Sequence, residues 1–451
     1  MELKTIFIIV DSGTAIRNLL RTSVLKILKD QKNLRIIIFS PITDKEFREE
    51  MEEDRVIIEQ NPVHKSNALF NTLDSLEKDI WAIRNDIFTF TQKRKRKFGY
   101  SLKKAFLWLC LKFSRKSPEG IQGWLRKRKL ASLPRLGTNY FEKYKPDLVF
   151  YATLYSRNLC LEHGAKQRRI PSVAFVLSWD NPTSKGPFPV HPDRVIVWND
   201  ILKKELIEYH GYKESELFVS GIPQFDIYSQ REKYLSKKEF FDKWKLDHGC
   251  KLITYTTGTP GTSPFDHEVV DMLIKSMNEG EFSQPVQLLI RLHPKDRKSD
   301  YEKFQGLPSV TLQSPGRKAK TNDSWNPSQE DMYGLAELML YSDVVINVAS
   351  TITIDASAFD TPVVNIAYDG YGTRKHADSC LRYYDYQHYV SIVNSGGVKI
   401  ASSNAEAVRF TNNYLQDPRL DAGGRKKIIQ EQCYKMDGAS GQRIAEYLLS
   451  V

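Results

Sequence analysis

The chain has 451 residues, too many for one ordinary hydrophobic core, so two domains are expected. Hydrophobic residues make up 41% and charged residues 27%, a normal balance for a soluble globular protein, and the net charge of +11 points to an anionic partner: a phosphate-bearing ligand, a nucleic acid or a membrane surface. Five cysteines, at 110, 160, 250, 380 and 433, form no CxxC pair, which fits a reducing cytoplasm and argues against structural zinc.

Near the N-terminus, "TIFIIV" (5–10) reads as a buried strand and "DSGTAIRNLLRTSVLKILKD" as a turn opening an amphipathic helix. The apolar part of "MELKTIFIIVDSG" is too short for a signal peptide and is broken by Asp11. Further strands are expected at "LRIIIFS" (34–40), "VIIEQ" (56–60), "PDLVFYAT" (146–153), "PSVAFVLSW" (171–179) and "DRVIVWN" (193–199). Helix-like stretches separate most of them, and this alternation predicts βαβ units and a parallel sheet.

Residues 63–140 interrupt the rhythm. They read as mostly helical and basic, with "KRKRK" at 93–97 and "RKRK" at 126–129, and Phe98, Tyr100, Phe106, Trp108, Phe113 and Trp124 lie between these runs. Such a segment is either a solvated insertion with inward-packed aromatics or a contact for an anionic membrane surface; nucleic acid is the third and least favoured partner. No uncharged stretch reaches the roughly 18–20 residues needed to span a bilayer.

After "FVSGIPQFDIY" (218–228), the charged stretch "SQREKYLSKKEFFDKWKLDHG" reads as a linker. Strand-like runs then resume at "KLITYTT" (251–257), "VQLLIRLHP" (286–294), "SVTLQS" (309–314), "DVVINVAS" (343–350) and "TPVVNIA" (361–367), with helices expected at 266–278 and 330–341. The expected fold class is therefore α/β with two Rossmann-like, doubly wound domains facing a cleft. The first spans 1–228 with its basic helical insertion, the second 229–425, and a helix over 426–451 crosses back to the first.

Ligands of open α/β sheets bind beyond the carboxyl ends of the strands. There the second domain offers Thr257 and Gly258, then Arg291, His293 and Lys295, then Ser350 and Thr351. Arg and Lys supply charge, His a donor, and a helix start free backbone N–H groups, the set that a phosphate ester or diphosphate needs. In the first domain, Asp180 in "SWDNPTSKG" follows a strand and is the candidate general base, with Asn181 and Lys185 beside it; a turn cap is the plainer role for Asp180. Asp11, Gly13 and Arg17 form a second acceptor-side candidate or an N-terminal helix cap. Asp355 is expected either to touch the donor ribose or to cap its helix. No His, Cys or Asp cluster has metal-ligand spacing, so neither a metal nor another cofactor is expected.

"RLHPKD" and "YSDVVINVASTITIDASAFDTPVVNI" resemble the nucleotide-binding half of GT-B glycosyltransferases of bacterial surface-polysaccharide type. The His-Pro motif and the later Ser/Thr motif are similar to those of CDP-glycerol glycerophosphotransferases and of CMP-sugar transferases for Kdo or sialic acid. The resemblance implies that His293 and the Ser350–Thr351 pair hold the donor phosphate, and that no metal is required. Where the glycerophosphotransferases show Asp-Tyr-Ser-Ser, this chain has Asn347-Val-Ala-Ser350-Thr351. Where UDP-GlcNAc 2-epimerases show Ser-Gly-Gly and paired acids, it has Ser-Thr-Ile and Asp355. The expected activity is transfer of a sugar from a nucleotide donor to a growing surface glycan, lipid-linked or free. The expected location is the cytoplasm, peripheral at the inner membrane face through 93–129, with no nucleic acid. The alternatives are a CDP-polyol phosphotransferase and a nucleic-acid-binding or scaffold protein.

Overall fold

The computed structural model describes residues 3–62, 66–95, 100–112, 117–155, 158–316 and 325–451. They form two units, one running up to Gln224 and including Ala439–Val451, the other running from Phe225 to Gly438. The boundary falls at Gln224, a few residues before the expected 228.

The first unit carries β1 (Lys4–Ile9), β2 (Leu34–Ser40), β3 (Val56–Gln60), β4 (Leu148–Tyr151), β5 (Ser172–Phe175), β6 (Arg194–Val197) and β7 (Leu217–Val219). They form one parallel sheet in the order β3-β2-β1-β4-β5-β6-β7. Ile6, Phe7, Ile8 and Ile9 are all buried, because a parallel sheet is covered on both faces and its strands need no polar side. The second unit repeats the scheme with β8 (Lys251–Thr256), β9 (Val286–Arg291), β10 (Val310–Gln313), β11 (Val344–Asn347), β12 (Val363–Ile366) and β13 (Val398–Ala401). Its parallel order is β10-β9-β8-β11-β12-β13, the 3-2-1-4-5-6 winding of nucleotide-binding sheets. One face packs Ile253, Tyr255, Leu288, Ile290, Ile346 and Val364 against the helices Asp266–Asn278 and Asn404–Gln416.

Two strands, β7 and β13, were not expected; both are short edge strands. The expected helix over 426–451 is two helices, Ala422–Gln432 and Ser440–Ser450, parted by Tyr434 and Gly438 at positive φ. The last belongs to the first unit: it packs on helix Ser23–Lys29, Arg443 donates to the Ser220 carbonyl (2.8 Å), and Tyr447 stacks on Phe218.

The insertion contains the helices Ala68–Asn85, Phe88–Lys95, Tyr100–Lys112 and Pro118–Ala131. Trp81, Ala82, Ile87 and Phe90 make a small core. Around it, the first helix turns acids toward the basic runs. Asp79 pairs with Arg94 (2.8 Å) and Lys103 (2.6 Å), and Glu77 with Arg126 (2.8 Å) and Lys129 (2.5 Å). Lys129 also reaches Asp74 (2.9 Å). Part of each basic run is therefore spent inside the insertion. Phe106, Trp108 and Trp124 are exposed, while Arg96, Lys97, Phe98 and Phe113, and the side chain of Tyr100, lie outside the described residues.

Lys129 and Glu77 are both fully buried. Lys129→Ala leaves a buried carboxylate short of a partner and is expected to destabilise the first unit by about 3 kcal/mol. Urea unfolding of the two proteins measures this, and a midpoint equal to wild type would refute it.

Candidate active site

In the second sheet the winding reverses between β8 and β11, and the loops after these strands run apart. Residues at or next to the carboxyl ends of five neighbouring strands lie level with one another. Gln313 pairs with Arg291, Arg291 with Thr256, Thr256 with Asn347, and Asn347 with Asn365. Residues so paired in a parallel sheet share a face, so a polar row crosses the carboxyl edge of a sheet that is otherwise largely apolar. Arg291 donates to the Gln313 side-chain Oε1, and Asn365 donates to Asn347 Oδ1 (2.9 Å). Two buried atoms of this row, Thr256 Oγ1 and Asn347 Nδ2, have no hydrogen-bond partner among the described residues.

Above the row, the β8 and β9 loops are tied together. The Thr257 hydroxyl accepts from the His293 N–H (2.8 Å), and the Thr257 N–H donates to the Arg291 carbonyl (3.0 Å). His293 Nδ1 accepts from the Lys295 N–H (3.0 Å), so the neutral ring carries its proton on Nε2. Lys295 itself is exposed. Thr257, Gly258, Arg291, His293 and Lys295 are thus one connected group.

The loop after β8 is held from below by Asp266. Its buried carboxylate accepts from the Gly258 N–H (2.6 Å), Ser263 Oγ (2.7 Å) and the Tyr255 hydroxyl (2.7 Å). A Cβ at Gly258 would lie 2.2 Å from Ser263 Oγ, so a side chain there would push that hydroxyl off the Asp266 carboxylate. Burial pushes the Asp266 pKa up to about 6 against the hydrogen bonds that favour its charge.

Ser350 and Thr351 follow β11, the neighbour of β8. The Ser350 hydroxyl accepts from the Ile352 N–H (3.3 Å), and Thr351 is the residue before helix Ile352–Ser357. That helix has only six residues, so its dipole is small and the side chains matter more than the expected helix start. Beneath it, Thr353 donates to Asn347 (3.3 Å), and the Tyr389 hydroxyl bonds Thr353 (2.9 Å) and Asn365 (2.8 Å). Asp355, in that helix, is buried and accepts from the Tyr228 hydroxyl.

In the first unit, Asp180 follows β5. Its two carboxylate oxygens accept from Ser178 Oγ (2.6 Å) and Ser184 Oγ (2.5 Å). Asn181 is buried, and among the described residues its Oδ1 has no partner, nor has the hydroxyl of buried Thr183. Lys185 lies over the Tyr155 ring (5.6 Å), whose hydroxyl donates to the carbonyls of Asn181 and Gly186. Helix Asp200–His210 packs on this turn and adds Glu205, whose pKa rises to about 8 through burial and the neighbouring Asp180 and Glu208. Asp11 and Gly13 follow β1, at the reversal of the first sheet's winding beside β4. The cap there is Ser12, not Asp11: its Oγ accepts from the Ala15 N–H (3.4 Å). Arg17 lies in the π-turn Ile16–Leu20 and donates to Asn18 (2.9 Å). Among the described residues, no three His, Cys, Asp or Glu side chains are gathered as a metal ion would require.

Sequence reading missed Asp266, Asn347, Asn365, Tyr389 and Glu205. For the Asn residues a signal exists: each stands at or next to the carboxyl end of a strand whose other residues are all Val or Ile. Folding raises the Asp266 pKa above its ordinary 3.8, so its contribution to stability is full below pH 4 and is lost as pH rises through about 6. Asp266→Asn should remove this component, flattening the change in melting temperature between pH 4 and 6. A slope identical to wild type would contradict the assignment.

No family model matches the chain, and no curated protein matches it. Solved structures do. The UDP-GlcNAc 2-epimerase from Neisseria meningitidis bound to UDP-GlcNAc is 12% identical, with TM-score 0.55 over 99% of this chain and 100% of that one. A glycosyltransferase from Rickettsia africae is 13% identical, with TM-score 0.50 over 100% and 99%. The wall teichoic acid polymerase TagF is 12% identical, with TM-score 0.50 over 99% and 88%. At such identities the likeness speaks for architecture: this chain has the two-sheet GT-B fold along its whole length.

Proposed function

We propose that the chain is a glycosyltransferase that moves a sugar from a nucleotide donor to a growing bacterial surface glycan. The observation that carries the reading is the connected group Thr257, Gly258, Arg291, His293 and Lys295 beside Ser350 and Thr351, at the reversal of the second sheet's winding. Donor and cation types at that place suit a nucleotide diphosphate or phosphate ester. His293 Nε2–H and the Ser350 and Thr351 hydroxyls donate to phosphate oxygens. Arg291 and Lys295 oppose the negative charge that grows on the phosphate as its bond to the sugar breaks, a role that fixed charges perform without reorganisation. Asp180, its orientation set by two serine hydroxyls, takes the proton of an acceptor hydroxyl whose oxygen attacks the anomeric carbon. Solved structures of the same fold carry UDP-GlcNAc in one case and polymerise wall teichoic acid in another, which is consistent with a nucleotide-linked donor and an envelope polymer as acceptor.

The first test is a thermal-shift panel of UDP, GDP, CDP, CMP, ADP and dTDP. One nucleotide should raise the melting temperature by mass action. His293→Ala should weaken it about 10- to 100-fold, the loss of one hydrogen bond to a charged group. No shift with any nucleotide would overturn the phosphate site.

Asp180→Asn should leave that shift intact and lower turnover by about 10²–10⁴. Unchanged turnover would remove Asp180 from the mechanism. Product analysis separates the rivals: phosphorus in the new linkage would mean a polyol-phosphate transferase, and an epimerised donor without acceptor would mean an epimerase.

A further inference from the structure

Residues 87–118 contain ten Lys and Arg and no Asp or Glu, while the whole chain has a net charge of +11. Nearly all of the protein's excess charge is thus in one segment, and the rest of the chain is balanced. Within this segment lies helix Tyr100–Lys112. On it, Leu102, Phe106 and Leu109 follow the i, i+4, i+7 spacing of a single helix face. That face is not covered: Leu102 is 80%, Phe106 66% and Leu109 49% exposed. The neighbouring Lys103 turns inward, to Asp79 on helix Ala68–Asn85 (2.6 Å). The helix therefore rests on the insertion by one side and offers an apolar stripe on another. On the helix Pro118–Ala131, Trp124 is also exposed, with the Arg128 guanidinium 5.6 Å from its ring.

We propose that this helix is a membrane-surface anchor, seated in the interface of an anionic bilayer with Leu102, Phe106 and Leu109 in the acyl boundary. Charge complementarity decides the occupant. A second copy of the chain would bring the same acid-free, strongly basic segment and be repelled. A nucleic acid would satisfy the charge and leave Leu102 and Leu109 of the apolar stripe in water. An anionic lipid surface satisfies both, since basic residues meet the headgroups while the stripe leaves water. The helix lies on the bilayer and does not cross it: thirteen residues extend about 20 Å, against a hydrocarbon core of about 30 Å. Among the described residues no helix is long and apolar enough to span. The structure also narrows the basic contribution. Arg126 and Lys129 hold buried Glu77, and Arg94 holds Asp79, so these three are structural; Lys127 and Arg128 are exposed.

The test uses the full chain in flotation with vesicles of phosphatidylcholine alone or mixed with phosphatidylglycerol. A polarity-sensitive fluorophore is placed on Cys110, which is exposed on the same helix, in a Cys250→Ser background. Wild type should float with the mixed vesicles and not the neutral ones, with a blue shift of the fluorophore. Leu102→Ser/Phe106→Ser/Leu109→Ser should weaken partitioning by about tenfold or more, since the apolar area withdrawn from water is gone. Its thermal shift with nucleotide should match wild type, which separates loss of the surface from loss of the fold. Equal partitioning of the triple variant would overturn the proposal, as would failure of wild type to bind mixed vesicles. Duplex DNA binding that the triple variant retains, without vesicle binding, would assign the segment to nucleic acid instead.

Discussion

A parallel sheet needs a crossover for every strand and helices on both faces, and this constraint places everything else in the second unit. Covering both faces from one chain requires the winding to reverse beside the first strand, between β8 and β11. There the two loops diverge and the carboxyl edge is left without a crossover on top of it. The side chains record the change. Ile253, Tyr255, Ile290, Ile346 and Val364 lie in the sheet's core, whereas Gln313, Arg291, Thr256, Asn347 and Asn365 close the strands at the edge. Polar groups stand where the cover ends, and they come from strands up to 109 residues apart only because the sheet order brings them level.

The groups that would meet a ligand rest on groups that would not. Asp266 ties the β8 loop to the start of helix Asp266–Asn278 through three donors, one of them the Gly258 backbone. The Asn347–Thr353–Asn365–Tyr389 network does the same under Ser350. A buried carboxylate below an anion site carries an electrostatic cost, and three donors on one carboxylate are what keep its charge tolerable. Arg291 is oriented by the Gln313 amide, a neutral acceptor that directs the guanidinium without cancelling its charge.

How much of this is legible in the sequence depends on where the partner of each residue lies. Strands buried on both faces read as continuous apolar runs, so β1, β2, β8, β9 and β11 were visible. The edge strands β7 and β13 were not, being three and four residues long and only partly buried. Loops after strands could be found by rule, which located Thr257, His293 and Ser350. Asp266 and Tyr389 could not, because their importance lies in bonds to residues that sequence order does not bring forward. Asp355 shows the limit most clearly: its partner, Tyr228, is 127 residues away. The π-turn at Ile16–Leu20 likewise left no mark in the apolar periodicity.

The basic insertion teaches a related point about net charge. Read as a line of text, 93–97 and 126–129 are two equal basic patches. In the fold, Asp74, Glu77 and Asp79, up to 55 residues earlier, neutralise Arg94, Lys103, Arg126 and Lys129. A composition-level charge of +11 invites the inference that a phosphate ligand explains it. The distribution says otherwise. Holding a diphosphate takes two or three cations or donors, and Arg291, Lys295 and the neutral donor His293 belong to a remainder of the chain whose charges nearly balance. The surplus sits in 87–118, in the unit that does not contain the candidate phosphate site, around an apolar helix face. The charge and the candidate phosphate site are therefore separate properties of this protein, and evidence for one is not evidence for the other.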